Sequence, residues 1–107
     1  MSQADPAPPH PGESPESLRA WYDQHRIGDE VLYDITTQAA TSLAALLVQR
    51  QLGASNDRDR EHWAARAHLV TQQQAALDPD DRDGLVAQQQ AWLDEAASLA
   101  KQAADPA

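Results

Sequence analysis

Apolar residues recur at helical spacing along this chain, and no segment alternates apolar with polar at period two over more than four residues. A half-buried sheet needs that alternation, so the pattern calls for amphipathic helices instead. Ser14-Pro15-Glu16 places a capping hydroxyl, a proline at the first helical position and a carboxylate at the positive end of the dipole. The first helix is expected from residue 15 to about 27, with Leu18, Trp21, Tyr22 and His25 on one face. Gly28 offers a stop and Asp29 a cap, although the same break reads equally as a kink inside one longer helix.

A second helix is expected over 29–52. Val31, Leu32, Ile35, Ala39, Leu43, Leu46 and Leu47 form its apolar stripe, wider than a coiled-coil seam and suited to a bundle. Thr36, Thr37, Thr41 and Ser42 are imperfect helix formers there, and Gly53 is expected to end the helix in the left-handed conformation. Ser55-Asn56-Asp57 opens a third helix, with Trp63, Ala67, Val70, Gln74 and Leu77 on its apolar side and Leu69 beside them. Asp78-Pro79-Asp80-Asp81 reads as a cap-then-proline start for a fourth helix reaching about residue 104. Its inner face is expected to be Leu85, Val86, Trp92, Leu93, Ala96, Leu99 and Ala100. Gly84 costs that helix about 1 kcal/mol relative to Ala.

The fold class is therefore all-α: a small antiparallel helical bundle of three long helices preceded by one short one, with a disordered Pro-rich N-terminal tail. Residues 1–14 are assigned to the tail and 15–105 to the bundle domain. Five of the seven prolines lie within residues 1–15, where no large apolar side chain can offset the cost of ordering the chain. The 107 residues suffice for one domain. The 21 Ala and 12 Gln favour helix, and the Gln72–74 and Gln88–90 triplets read as helix-compatible composition. Few residues are bulky, so the bundle is expected to be marginal alone and to gain stability from a partner by mass action.

Asp and Glu number 17 against 8 Lys and Arg, a net charge of −9. That balance argues against nucleic acid or an anionic membrane as the direct ligand. The longest apolar run, residues 43–48, is far short of the ~20 residues a bilayer-spanning helix needs. The N-terminus lacks a basic region and an apolar core, so a cytoplasmic location is the expectation.

The chain has no Cys, which removes disulfides, thiolate metal sites and a Cys nucleophile. His62 and His68, six residues apart, fall on different sides of a helix, and no His-Glu-x-x-His or paired Glu-x-x-His occurs. Phosphate-cradling glycine loops and the nucleophile-elbow motif are missing too. The carboxylate clusters at 57–61 and 78–83 read first as helix starts. No enzyme activity, cofactor or metal is expected.

Trp63 and Trp92 fall on bundle-facing positions. The Trp21-Tyr22 pair differs, because adjacent helical residues point about 100° apart and cannot both face one core. Acids surround the pair. Trp21, Tyr22, Asp23, Asp29, Glu30, Tyr33 and Asp34 are the candidate partner-binding residues, since aromatics flanked by charge are the composition of an interface hot spot; the alternative for the Trp21-Tyr22 pair is a lid over the core, which uses the same residue types.

The functional expectation is an acidic, non-enzymatic interaction module for a protein partner. Its most concrete form is an antitoxin- or immunity-type inhibitor whose carboxylates occupy a basic cleft that otherwise receives nucleotide or RNA phosphates. In general outline the chain resembles short helical antitoxins, such as the three-helix partner of zeta-type kinase toxins. The likeness covers architecture and carries over no residue. The alternatives are a nucleic-acid mimic that blocks a DNA- or RNA-binding enzyme, and a homodimerising helical adaptor.

Overall fold

The computed structural model describes residues 14–104, with side chains through 102. It is all-α: α1 Pro15–Gln24, α2 Asp29–Gly53, α3 Asp57–Ala75 and α4 Arg82–Ala104. The tail expected over 1–14 lies, Ser14 apart, outside the described residues. α2 packs against both α3 and α4, while α1 lies on α4. Thr36 reaches the Leu85 carbonyl and Arg50 the Leu99 carbonyl, so α2 and α4 run in the same direction. α3 returns antiparallel between their ends, as its short links require. Arg66 of α3 and Glu95 of α4 form a salt bridge between these two helices.

Two of the starts follow the expected chemistry. The Ser14 hydroxyl accepts the Ser17 amide at 3.1 Å, and the Asn56 side chain accepts the Asp59 amide at 2.8 Å. The first stop comes earlier than expected. α1 ends at Gln24 because the Arg26 amide turns back to the Asp23 carbonyl and the Ile27 amide to the Tyr22 carbonyl, at 3.1 and 3.0 Å. This is a Schellman cap, and its left-handed position is taken by Arg26, with φ 55°, rather than by glycine. Ile27 packs beside Tyr22 in the same cluster, completing the cap with an apolar contact. Gly28 is therefore not the stop. It is the extended N-cap of α2, and Asp29 is the first helical residue rather than the cap.

Gly53 is likewise still helical, and the chain leaves α2 through extended Ala54 instead of a left-handed glycine. α4 starts at Arg82, later than the Asp78-Pro79 pair implied. The Asp78 carboxylate accepts the Asp80 amide in a turn of its own, and Asp81 caps α4 by accepting the Gly84 amide at 3.0 Å. A methyl group at position 84 would collide with that Asp81 carboxylate. Gly84→Ala is accordingly expected to forfeit the cap, about 0.5–2 kcal/mol, against the ~1 kcal/mol propensity gain. Chemical denaturation should show no net stabilisation.

The core consists of two clusters. Ala40, Leu43 and Leu47 of α2, Val70 of α3, and Trp92 and Leu99 of α4 make the larger one. Leu18 and Tyr22 of α1, Leu32 of α2, and Leu85 and Val86 of α4 make the other. The α2 stripe is thus Leu32, Thr36, Ala40, Leu43 and Leu47, with steps of three and four. Val31, expected inside, is 50% exposed, and Ala100 of α4 is exposed as well. Gln89 and Gln90 are buried, one α4 turn from the apolar positions they accompany.

Candidate functional site

Asp29, Glu30, Tyr33 and Asp34 occupy the first two turns of α2, where steps of three and four place them on one side. The α3–α4 turn brings Pro79 and Asp80 against them, and the six residues line a groove of about 440 Å³. Tyr33 is half-buried and the other five are exposed. The lining holds four carboxylates and no cation. At the rim, Arg82 donates from Nη1 to Asp29 Oδ1 at 2.9 Å and from Nε to Asp23 Oδ1 at 3.0 Å. Burial opposes the Arg82 charge, but these bonds to Asp29 and Asp23 outweigh it and raise the guanidinium pKa.

The seven candidate residues therefore separate. Four of them share the groove. Asp23 belongs to a latch, where Arg82 and Arg19 both donate to it and Arg19 also pairs with Asp83. The Arg82 hydrogen bond, ahead of the Arg19 contacts, holds the Asp23 carboxyl below its ordinary range. Trp21 is half-buried, stacked on the His25 ring at 4.0 Å and edge-on to Tyr22 at 5.4 Å. Its indole nitrogen is buried with no hydrogen-bond partner.

Tyr22 is a correction. It is 1% exposed in the α1 cluster, and its hydroxyl donates to Gln89 Oε1 at 2.8 Å. Two adjacent aromatics cannot face one core, and here Tyr22 takes the core and Trp21 the margin. Burial pushes the Tyr22 phenol above its ordinary value, more than the Gln89 bond lowers it. Ionisation is thus disfavoured in the folded state. The stability that Tyr22 contributes is whole below the unfolded tyrosine pKa of about 10 and is lost as pH rises through the higher folded value. Thermal melts between neutral pH and pH 11 should show this loss, and Tyr22→Phe should remove that component of it.

Sequence spacing marked Pro79 and Asp80 only as a helix start and Gln89 only as helix-compatible composition, and it gave Arg82 no role. Only the turn after α3 brings the first two to the groove. His62 and His68 are exposed, and His62 meets only the edge of Trp63 among ring contacts. Among the described residues no group of three or more His, Asp or Glu is placed to hold a metal ion. α2 is long and apolar enough, by length and composition, to cross a bilayer, a property it shares with core helices of globular bundles. Its outer side exposes Val48 (41%) and Leu52 (79%). No known protein family, curated protein or solved structure matches this chain.

Proposed function

We propose that this chain acts by contact, as an acidic helical interaction module whose Tyr33 groove receives a basic element of a protein partner. The observation that carries the reading is the groove itself: four carboxylates around one half-buried tyrosine, contributed by two separate segments. Carboxylates bind guanidinium groups in paired hydrogen bonds, and a tyrosine face attracts the same cation. An arginine or lysine side chain is the complement of this lining. A partner that presents several of them in a cleft for nucleotide or RNA phosphates would be blocked by it, which is the action of an antitoxin- or immunity-type inhibitor. Such a module needs no bound metal, cofactor or turnover.

An arginine-rich helical peptide tests the groove. Glu30→Gln, Asp34→Asn and Asp80→Asn remove three charges, and none of these carboxylates pairs with Arg82, so circular dichroism should be unchanged. Calorimetric affinity for the peptide should fall by at least ten-fold, equivalent to about 1.4 kcal/mol. Equal affinity for the triple variant and the unmodified chain would remove the groove from the function.

A further inference from the structure

The larger core cluster takes no residue from α1, so the three long helices retain it whether or not α1 is docked. α1 enters the fold through Leu18 and Tyr22, and its helix partner is α4, not the α2 that follows it in sequence. The link from α1 to α2 is short, and it turns through left-handed Arg26, at the position of a Schellman cap where glycine is usual. A ten-residue helix is marginal by itself, so α1 persists by docking.

We propose that α1 is an exchangeable arm, which docks on α4 of a second copy of this chain and receives that copy's α1 in return. The surface, α4 together with Leu32 of α2, is specified by what already fills it. It accepts a leucine and a tyrosine one turn apart, and Gln89 Oε1 accepts the phenol. Arg19 with Asp83 and Arg82 with Asp23 add paired charges across the same contact. A second copy supplies each of these groups, so every α1–α4 contact is remade on exchange and only the link changes. In the exchanged form the link opens and Arg26 leaves the left-handed region. Opposing this, the tether keeps α1 at an effective concentration of ~mM, so the closed monomer prevails in dilute solution. Short links under strain are the recognised setting for such swaps. The proposal concerns the α1–α4 contact and stands apart from the Tyr33 groove.

The absence of Cys makes introduced thiols clean reporters. Glu16 of α1 and Ala87 of α4 both line the exposed groove between these helices and take part in none of the ion pairs named above. Chains with Glu16→Cys are mixed with chains carrying Ala87→Cys, refolded together from urea at millimolar concentration and treated with a short bis-maleimide. Three link sequences are compared. Arg26→Ala with Gly28→Ala puts helix formers in the turn and merges α1 with α2, so α1 can dock only on another copy. This variant should sediment as a dimer and give the Glu16→Cys to Ala87→Cys product between chains. Arg26→Gly relaxes the closed turn and should yield at least ten-fold less of that product than the unmodified link, since about ten-fold is the factor for relieving one non-glycine left-handed residue and each exchanged dimer opens two links. A merged-helix variant that stays monomeric, or dimerises without the inter-chain product, overturns the proposal. If that variant does not fold, equal inter-chain yield from the unmodified and Arg26→Gly links overturns it just as well.

Discussion

Trp92→Ala is expected to lower the unfolding free energy by about 3–5 kcal/mol, the range for deleting a large buried side chain. Trp92 is 2% exposed and joins residues from α2, α3 and α4. Several of its cluster neighbours are alanines, at 39, 40, 44, 67 and 96, whose single methyl groups cannot swing into the void. Because that cluster ties all three long helices together, the loss should appear as a fall in the midpoint of one cooperative transition. For a domain of this size each kcal/mol shifts the midpoint by roughly 4–8 °C. Trp92→Phe should cost less, since the indole nitrogen is buried with no hydrogen-bond partner and its removal returns part of the loss. Calorimetry decides the matter, and a fall under about 1 kcal/mol for Trp92→Ala would mean that this cluster does not hold the bundle.

Tyr22→Ala should behave differently, although the deleted side chain is also large and buried. The nominal loss is again about 3–5 kcal/mol, but it is capped at the free energy with which α1 docks. Past that cap α1 leaves, and the cluster around Trp92 remains. The expected signature is loss of helix signal equivalent to α1, with a smaller fall in midpoint than Trp92→Ala gives. Tyr22→Phe isolates the hydrogen bond: it leaves Gln89 Oε1 buried without its donor, at a cost of about 1–3 kcal/mol. Circular dichroism during thermal melting separates these outcomes. A fall as large and as cooperative for Tyr22→Ala as for Trp92→Ala would merge the two clusters into one folding unit.

How legible each feature was in the sequence follows from the range of the interaction that makes it. The caps at Ser14 and Asn56 are local, a side chain bonding an amide three residues on, and they were readable in advance. The end of α1 was not, because the left-handed position is held by an arginine and no residue type announces it. Asp78-Pro79 and Asp81 compete for the start of α4 with equally good local chemistry, and only the Gly84 amide settles the competition. Thr36 reads from sequence as an imperfect helix former and Gln89 as helix-compatible composition. Their burial depends on the Leu85 carbonyl and the Tyr22 hydroxyl, 49 and 67 residues away in sequence, which helical periodicity cannot report. The groove divides the same way. Asp29, Glu30, Tyr33 and Asp34 stand together as an acidic and aromatic stretch, whereas Pro79 and Asp80 reach it only after the chain has run the length of α3 and turned.

Whether the Tyr33 groove, and not net charge alone, receives a basic partner is tested most directly by amide chemical-shift mapping. The isotopically labelled chain is titrated with an unlabelled arginine-rich peptide at near-physiological salt, where long-range attraction between exposed charges is largely screened. The expected result is saturable shifts confined to residues 29–34 and Asp80, with Trp63 and the end of α4 unmoved. Small, unsaturating shifts spread over every carboxylate-bearing helix start, including residues 57–61, would contradict it.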